Sequence, residues 1–234
     1  MQKLCDLMRM MAFGKVSCVI CGWSGSRFAD VDCGYGHIYK NSTCPTCKSQ
    51  PRHRAFYLYL DKVLPGEARI DLLHFAPEQF YEGIWRKYAN INYASADIVE
   101  GRALHREDLT NLTFDDAAFD VVFCSHVLEH IEDDRKAMSE IYRVMRRGGF
   151  AIIDVPIDYG REVTYEDKSI VTKEARTRAF WQFDHIRLYG RDFPDKLRNA
   201  GFAVKPYRIY AELGAREARR LGLEDIPIYL CEKP

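Results

Sequence analysis

The chain has 234 residues and a mass of 27.2 kDa, enough for one full domain and a small appendage. Apolar residues make up 47% and charged residues 29%, so a sizeable core is available and global disorder is excluded. Lys+Arg and Asp+Glu both number 34, which excludes a generally basic nucleic-acid binder while leaving room for a local patch.

The first apolar run, Met10 to Phe13 between Arg9 and Lys15, is too short for a secretory signal. No stretch approaches the roughly 18 apolar residues of a membrane span. The expectation is therefore a cytoplasmic chain with reduced thiols and no membrane partner.

Eight cysteines are present, and six lie within the first 47 residues. Four form two C-x-x-C pairs, Cys18/Cys21 and Cys44/Cys47, with 22 residues between the pairs. A C-x-x-C turn lets two thiolates meet one ion, and two such knuckles complete a closed S4 site, the chemistry of structural Zn2+. Cys33 and His37 belong to no knuckle and are assigned to hairpin packing. Residues 1–50 are read as this metal module. Residues 1–60 hold eight Lys/Arg against three Asp/Glu, and residues 61–234 hold 26 against 31. Lys48, Arg52 and Arg54 contribute to that local excess, which can meet nucleic acid or protein or can simply be a solvated face. Residues 51–67 are read as a linker whose PRHRAFYLYLDK run forms a helix.

From residue 68 strands and helices alternate. Strands are predicted over Ile70–Phe75, Ile91–Ala96, Phe119–Cys124, Phe150–Val155, Phe202–Tyr210 and Ile226–Cys231, with a short one over Arg102–Leu104. Helices are predicted over Gln79–Ala89, Glu132–Arg147 and Arg191–Asn199. In Glu132–Arg147 the residues Ala137, Met138, Ile141, Val144 and Met145 form one stripe, and Gly148-Gly149 stops it. The alternation predicts an α/β fold with a parallel sheet covered by helices.

In an open α/β sheet, ligands bind beyond the carboxyl ends of the strands. The loop Phe75-Ala76-Pro77-Glu78 follows the first strand. Asp97 follows the second, at the distance where a carboxylate accepts ribose hydroxyls of a nucleoside cofactor. Asp108, with the adjacent Leu109 amide, can read an adenine edge. Capping or solvation explains each acid singly; their serial order favours a cofactor site.

The run FDVVFCSHVLEHI (119–131), the helix through Arg143-Val144-Met145-Arg146-Arg147 and the closing Gly148-Gly149-Phe150 resemble class I S-adenosylmethionine-dependent methyltransferases. CPTC-K-S-Q-P-R-H-R followed by LLHFAPE resembles a subgroup with an N-terminal zinc ribbon. The resemblance covers about residues 68–234. It implies a Rossmann-like, mostly parallel seven-stranded sheet ending in an antiparallel hairpin. It implies S-adenosyl-L-methionine as cofactor, with Asp97 on the ribose and Asp108 on the adenine. Phe75, Ala76, Glu78, Leu109 and Ser125 complete the expected cofactor pocket. One departure stands out. The family's G-x-G-x-G loop is here Phe75-Ala76-Pro77-Glu78, in which Ala76 still permits close approach and Pro77 removes an amide donor.

A sulfonium methyl is already activated, so the site must align donor and acceptor and exclude water. A hydroxyl or ammonium acceptor also needs a base. His185 is assigned that role, titrating near 6.5 if unperturbed, and His126 is assigned to the methyl pocket. Residues 157–189, with Tyr159, Tyr165, Phe180, Trp181, Phe183 and Tyr189, are read as a substrate lid. The leading expectation is a methyltransferase for a small polar acceptor such as a sugar or metabolite hydroxyl. A weak or inactive binding module docking through the ribbon is the alternative that Pro77 motivates. An RNA or protein methyltransferase is the third.

Overall fold

A computed structural model of the chain describes residues 16–32, 38–85 and 87–234; Cys33 and His37 lie outside them. The chain divides into two units, Met1–Pro65 with Tyr207–Ile228, and Gly66–Pro206 with Tyr229–Pro234. A linear boundary near residue 68 does not include the return of 207–228 to the first unit.

The described residues of the first unit open with two antiparallel pairs, β1 (Val16–Ser17) with β2 (Ser24–Gly25) and β3 (Ala29–Asp32) with β4 (Ile38–Thr43). Helix α1 (Pro51–Val63) follows. Pro51 sits at its first turn, where no amide donor is needed. The Gln50 amide donates to His53 Nδ1 at 3.1 Å.

The second unit is a seven-stranded sheet. Its strands are β5 (Ile70–Phe75), β6 (Ile91–Asp97), β7 (His105–Arg106), β8 (Phe119–Ser125), β9 (Met145–Asp154), then β12 (Ala203–Tyr207) and β13 (Ile228–Glu232). The spatial order is β12-β13-β9-β8-β5-β6-β7. Strands β7, β6, β5, β8 and β9 are mutually parallel, and β13 is antiparallel to β9. This is the expected mostly parallel Rossmann-like sheet. Helices α2 (Gln79–Trp85) and α3 (Asp134–Val144) connect its strands. Residues 157–189 contain the pair β10 (Tyr165–Glu166) and β11 (Arg187–Leu188) and helix α4 (Lys173–Phe180). Helix α5 (Phe193–Asn199) precedes β12. Helices α6 (Ile209–Leu213) and α7 (Ala215–Arg220) belong to the first unit.

The apolar strand runs fill the core: Leu73, Val122, Ala151 and Ile153 are fully buried, as are Ala137, Ile141 and Val144 of the predicted α3 stripe. Several boundaries differ. Helix α2 stops at Trp85 instead of Ala89, closing through i,i+3 bonds from Lys87 and Tyr88. The short strand forms at 105–106 instead of 102–104, because the Leu104 amide is taken by Ser95 Oγ at 3.1 Å. Strand β12 ends at Tyr207, since buried Ile209 opens a helix.

The largest difference concerns Gly148-Gly149. Helix α3 ends at Val144, and Met145 to Gly149 are already strand. Register slips there, with Phe119 opposite Met145 but Val121 opposite Phe150. A Cβ on Gly149 would lie 2.6 Å from the Asp120 carbonyl oxygen, so this bulge requires glycine. Arg146 leaves the helix and bridges Asp71 at 2.8 Å and Asp120 at 2.7 Å. Among the described residues no helix is long and apolar enough to cross a membrane.

Candidate functional site

From the neighbouring strands β5 and β8 the sheet is wound in opposite directions, through α2 to β6 and through α3 to β9. Such a switch point opens a crevice at the strands' carboxyl ends. Ala76 follows β5 with φ 46°, and His126 follows β8 with φ 56°. Both are non-glycine residues in the left-handed region, at a cost of about 1 kcal/mol or more each. Ala76 thus adopts the backbone that glycine would supply. Its amide donates to Ala96 O and that of His126 to Asp154 O, both at 2.9 Å, which holds each turn against a neighbouring strand.

The residues expected to bind cofactor lie at or just beyond the ends of the consecutive strands β8, β5, β6 and β7. Phe75 and Leu109 are buried. Asp97 ends β6, and its Oδ1 accepts from the Val99 amide at 2.7 Å. Asp108 is exposed, and its Oδ1 accepts from both the amide and hydroxyl of Thr110 at 2.8 Å. Both acids therefore also shape their own turns. Glu78 Oε2 lies 3.2 Å from Nε2 of fully buried His74, whose Nδ1 lies 3.3 Å from the Tyr93 hydroxyl. Ser125 Oγ is buried with no hydrogen-bond partner among the described residues. An orphaned hydroxyl at the end of β8 fits a pocket that takes a polar ligand.

Beside Ser125 lies a cluster of histidines and carboxylates. His126 Nδ1 is 3.3 Å from Glu129 Oε1, and its Nε2 is 3.5 Å from Asp154 Oδ2. Glu129 is 1% exposed, within the 3-10 turn Leu128–His130. The insertion reaches this turn: the Ile186 amide donates to Glu129 O at 3.0 Å, and Arg187 donates to the carbonyls of Leu128, Ile131 and Glu132. Arg187 is itself buried and paired with Glu166 at 2.6 Å.

This anchoring buries His185, contrary to the expectation that it faces an acceptor and titrates near 6.5. It is 4% exposed, and its Nδ1 is 2.8 Å from Phe180 O. Burial pushes its pKa down to about 4, against the raising effect of that carbonyl. His126, 31% exposed at its side chain, is the more accessible of the two. Phe180 is buried as core, whereas Trp181 and Phe183 are exposed.

In the first unit the two knuckles converge. Cys18 and Cys47 sulfurs are 3.6 Å apart, as are those of Cys21 and Cys44, and all four lie within 4.8 Å of one another. A tetrahedral Zn–S4 site with bonds of about 2.3 Å requires S–S separations of about 3.8 Å, so the donor set fits. The knuckles match in detail. The amides of Gly22 and Lys48, each following a second cysteine at positive φ, donate to the carbonyls of Cys18 and Cys44 at 2.9 and 3.0 Å.

Arg54 does not belong to an anion-binding face. It is fully buried and donates to the carbonyls of Ser42, Ser49, Leu221 and Gly222 at 2.7–2.8 Å, stacked 4.1 Å over the Phe28 ring. Burial lowers its pKa, and the thiols of Cys18, Cys44 and Cys47 offset that effect when ionised. Of the three cations counted as a patch, only Lys48 is exposed.

Reading by residue type missed Glu129, Asp154 and the partners of Arg54. The spacing His126-x-x-Glu129-His130 was visible, but nothing local indicates that His185, 55 positions away, joins it.

Residues 81–153 match the family model described as a methyltransferase domain. A Mycolicibacterium smegmatis protein named "Probable S-adenosylmethionine-dependent methyltransferase" is 26% identical over 126 residues, 51% of this chain and 45% of that protein. The match therefore spans about half of this curated relative. Among solved structures, the [4+2]-cyclase SpnF superposes with a TM-score of 0.53 at 17% identity, over 77% of this chain and 81% of that one. Phosphoethanolamine N-methyltransferase 2 of Haemonchus contortus, bound to S-adenosyl-L-methionine, superposes with a TM-score of 0.51 at 13% identity, over 77% of this chain and 52% of that one. The sheet has the Rossmann-like fold of these solved structures, and residues 81–153 within it are similar to the methyltransferase-domain family.

Proposed function

We propose that the chain is an S-adenosylmethionine-dependent methyltransferase acting on a small polar acceptor such as a sugar or metabolite hydroxyl. The observation that carries this reading is the crevice between β5 and β8. There two strained turns, at Ala76 and His126, flank the orphaned hydroxyl of Ser125, and Asp97 ends the adjoining strand. The family match covers β8 and the positions of Asp97, Asp108 and Ser125 but not β5 or Ala76, and one structural neighbour binds that cofactor.

In this reading Asp97 accepts the two ribose hydroxyls, while Asp108 and the Leu109 amide read the adenine edge. Phe75, Ala76, Glu78 and Ser125 line the remainder. The cofactor, when bound, supplies a sulfonium-activated methyl group. His126 receives the acceptor's proton, since it is the accessible histidine at the mouth. The imidazolium so formed is flanked by Asp154 and Glu129. His185 positions the turn from behind. The insertion 157–189 offers exposed Trp181 and Phe183 as walls that exclude water. Cys18, Cys21, Cys44 and Cys47 hold a structural zinc, which leaves no open position for chemistry.

Calorimetric titration with S-adenosylmethionine tests the reading. Asp97→Ala should weaken binding at least about tenfold, because a carboxylate bonded to hydroxyls contributes on the order of 1.5–3 kcal/mol. Unchanged affinity in the folded variant rejects the ribose role. No binding by the parent chain would favour a binding module that has lost turnover, the reading Pro77 supports. Burial of Arg54 removes part of the basic patch on which an RNA substrate would rely.

A further inference from the structure

Glu129, His130 and His185 each bring one ligand atom to a common point, all within 4.8 Å of one another. Two come from the turn after β8 and the third from the insertion, so the set exists only in the folded chain. Both histidines have one ring nitrogen beside a backbone carbonyl, which leaves the other nitrogen as the lone-pair side. His185 Nδ1 lies 2.8 Å from the Phe180 carbonyl, so its N–H points there and the Nε2 lone pair is left on the other side. That Nε2 is 3.9 Å from Glu129 Oε1. His130 Nδ1 lies 3.3 Å from the Asp184 carbonyl and 3.6 Å from the Asp184 carboxylate, which fixes the same tautomer. Imidazoles that bind metals donate their second nitrogen to a carbonyl or carboxylate in this way. The rings pack edge to face, with centroids 4.8 Å apart. Glu129 Oε1 also meets His126 Nδ1 at 3.3 Å, so on its His185 side a lone pair faces a carboxylate oxygen, an unfavourable pairing that a shared cation reverses.

We propose that Glu129, His130 and His185 form a binding site for a divalent first-row transition metal ion. Two imidazoles and one carboxylate are ligands of intermediate softness, which suit zinc, cobalt(II) or iron(II) better than magnesium or calcium. Ligand distances of about 2.0–2.2 Å would require the 3.9 Å gap to close by a few tenths of an ångström. Three protein ligands leave at least one coordination position open, unlike the four-thiolate set. A hydroxyl acceptor bound there would lose its proton more readily, the proton passing to His126 or solvent. The site goes beyond the methyltransferase reading and stands or fails without it.

The test uses the full chain with its cysteine set loaded with zinc. Cobalt(II) is then added, and bound metal is counted while the visible spectrum is recorded. One further equivalent is expected, with weak d–d bands and without the intense thiolate charge-transfer band of a cysteine site. His130→Gln and Glu129→Gln should each weaken that equivalent by about tenfold or more, while exposed His105→Gln leaves it unchanged. His130 is 32% exposed at its side chain, so its variant keeps the fold even if the Glu129 variant does not. Absence of the extra equivalent in the parent chain overturns the proposal, and so does its undiminished retention in His130→Gln. Calorimetry with S-adenosylmethionine on the same samples separates failure of this site from failure of the cofactor site.

Discussion

The four-cysteine set and the Glu129–His130–His185 set are built in opposite ways. The first is two short turns, each placing two sulfurs by local geometry, so its donors are announced by spacing. The second borrows one ligand from a segment 55 positions away, and burial decides its chemistry. In the first unit one apolar cluster is centred on Val16, Cys18, Phe28 and Cys44, two of which are knuckle cysteines, and Arg54 stacks on Phe28 beside it. The sheet unit has a continuous apolar core from Leu73 to Cys231 and can therefore tolerate strained turns and buried carboxylates.

The largest effect should come from Cys44→Ser. Structural zinc supplies on the order of 10 kcal/mol to a small module, so loss of one zinc equivalent should unfold residues 16–65. Elemental analysis and hydrogen exchange would show this, with protection in the sheet kept. Zinc retained in a Cys18/Cys21/Cys44/Cys47 quadruple serine variant would break the comparison.

Arg54→Met comes next. It strands four buried carbonyls and should cost about 3 kcal/mol or more in urea unfolding of that unit. Gly222→Ala should act in the same direction, because a Cβ there would lie 2.8 Å from the Arg54 guanidinium at a φ of +64°.

In the sheet unit, Glu140 accepts from the Leu112 amide at 2.9 Å and pairs with Arg143 at 2.8 Å. Arg143, with that amide, holds its carboxyl below the ordinary range. The folded state thus binds its proton less readily than the unfolded state does. The resulting stability is present above about pH 4.3 and is lost as pH falls through the folded value. Glu140→Gln should cost about 1–2 kcal/mol at neutral pH and flatten that acid dependence, read by thermal melts across pH 2–6. An unchanged acid slope would mean another group carries it.

The smallest effect is at Ala76. Ala76→Val places a β-branched residue at φ 46° and should cost about 1 kcal/mol while weakening S-adenosylmethionine binding. Ala76→Gly should preserve both, since relief of strain offsets the entropy of an added glycine. Equal affinities in all three proteins would remove this turn from the cofactor site.

The strand cores at 70–75, 91–96 and 119–124 were legible because buried parallel strands are short apolar runs. Helix α3 was legible from its stripe, but its end was not. The Arg-Arg-Gly-Gly run reads as a helix stop from local propensity, whereas the close approach of Gly149 to Asp120 makes it a bulged strand. Because it lies in the insertion, His185 reads from sequence as facing the acceptor. Its burial comes from Arg187 clasping the turn at Leu128–Glu132, a contact no pattern around either segment reveals. Arg54 looked like one cation in a basic run, and four carbonyls that it reaches only in the fold made it interior.

By itself the sequence determined the alternation of strands and helices, the sulfur donor set and the acids at successive strand ends. Each of these depends on period, turn geometry or spacing within a few residues. Only the tertiary structure decided which titratable groups are buried, which strained turns face each other across β5 and β8, and which histidines share Glu129. Those properties depend on distances between segments far apart in the chain, where desolvation and hydrogen-bond partners are set by packing.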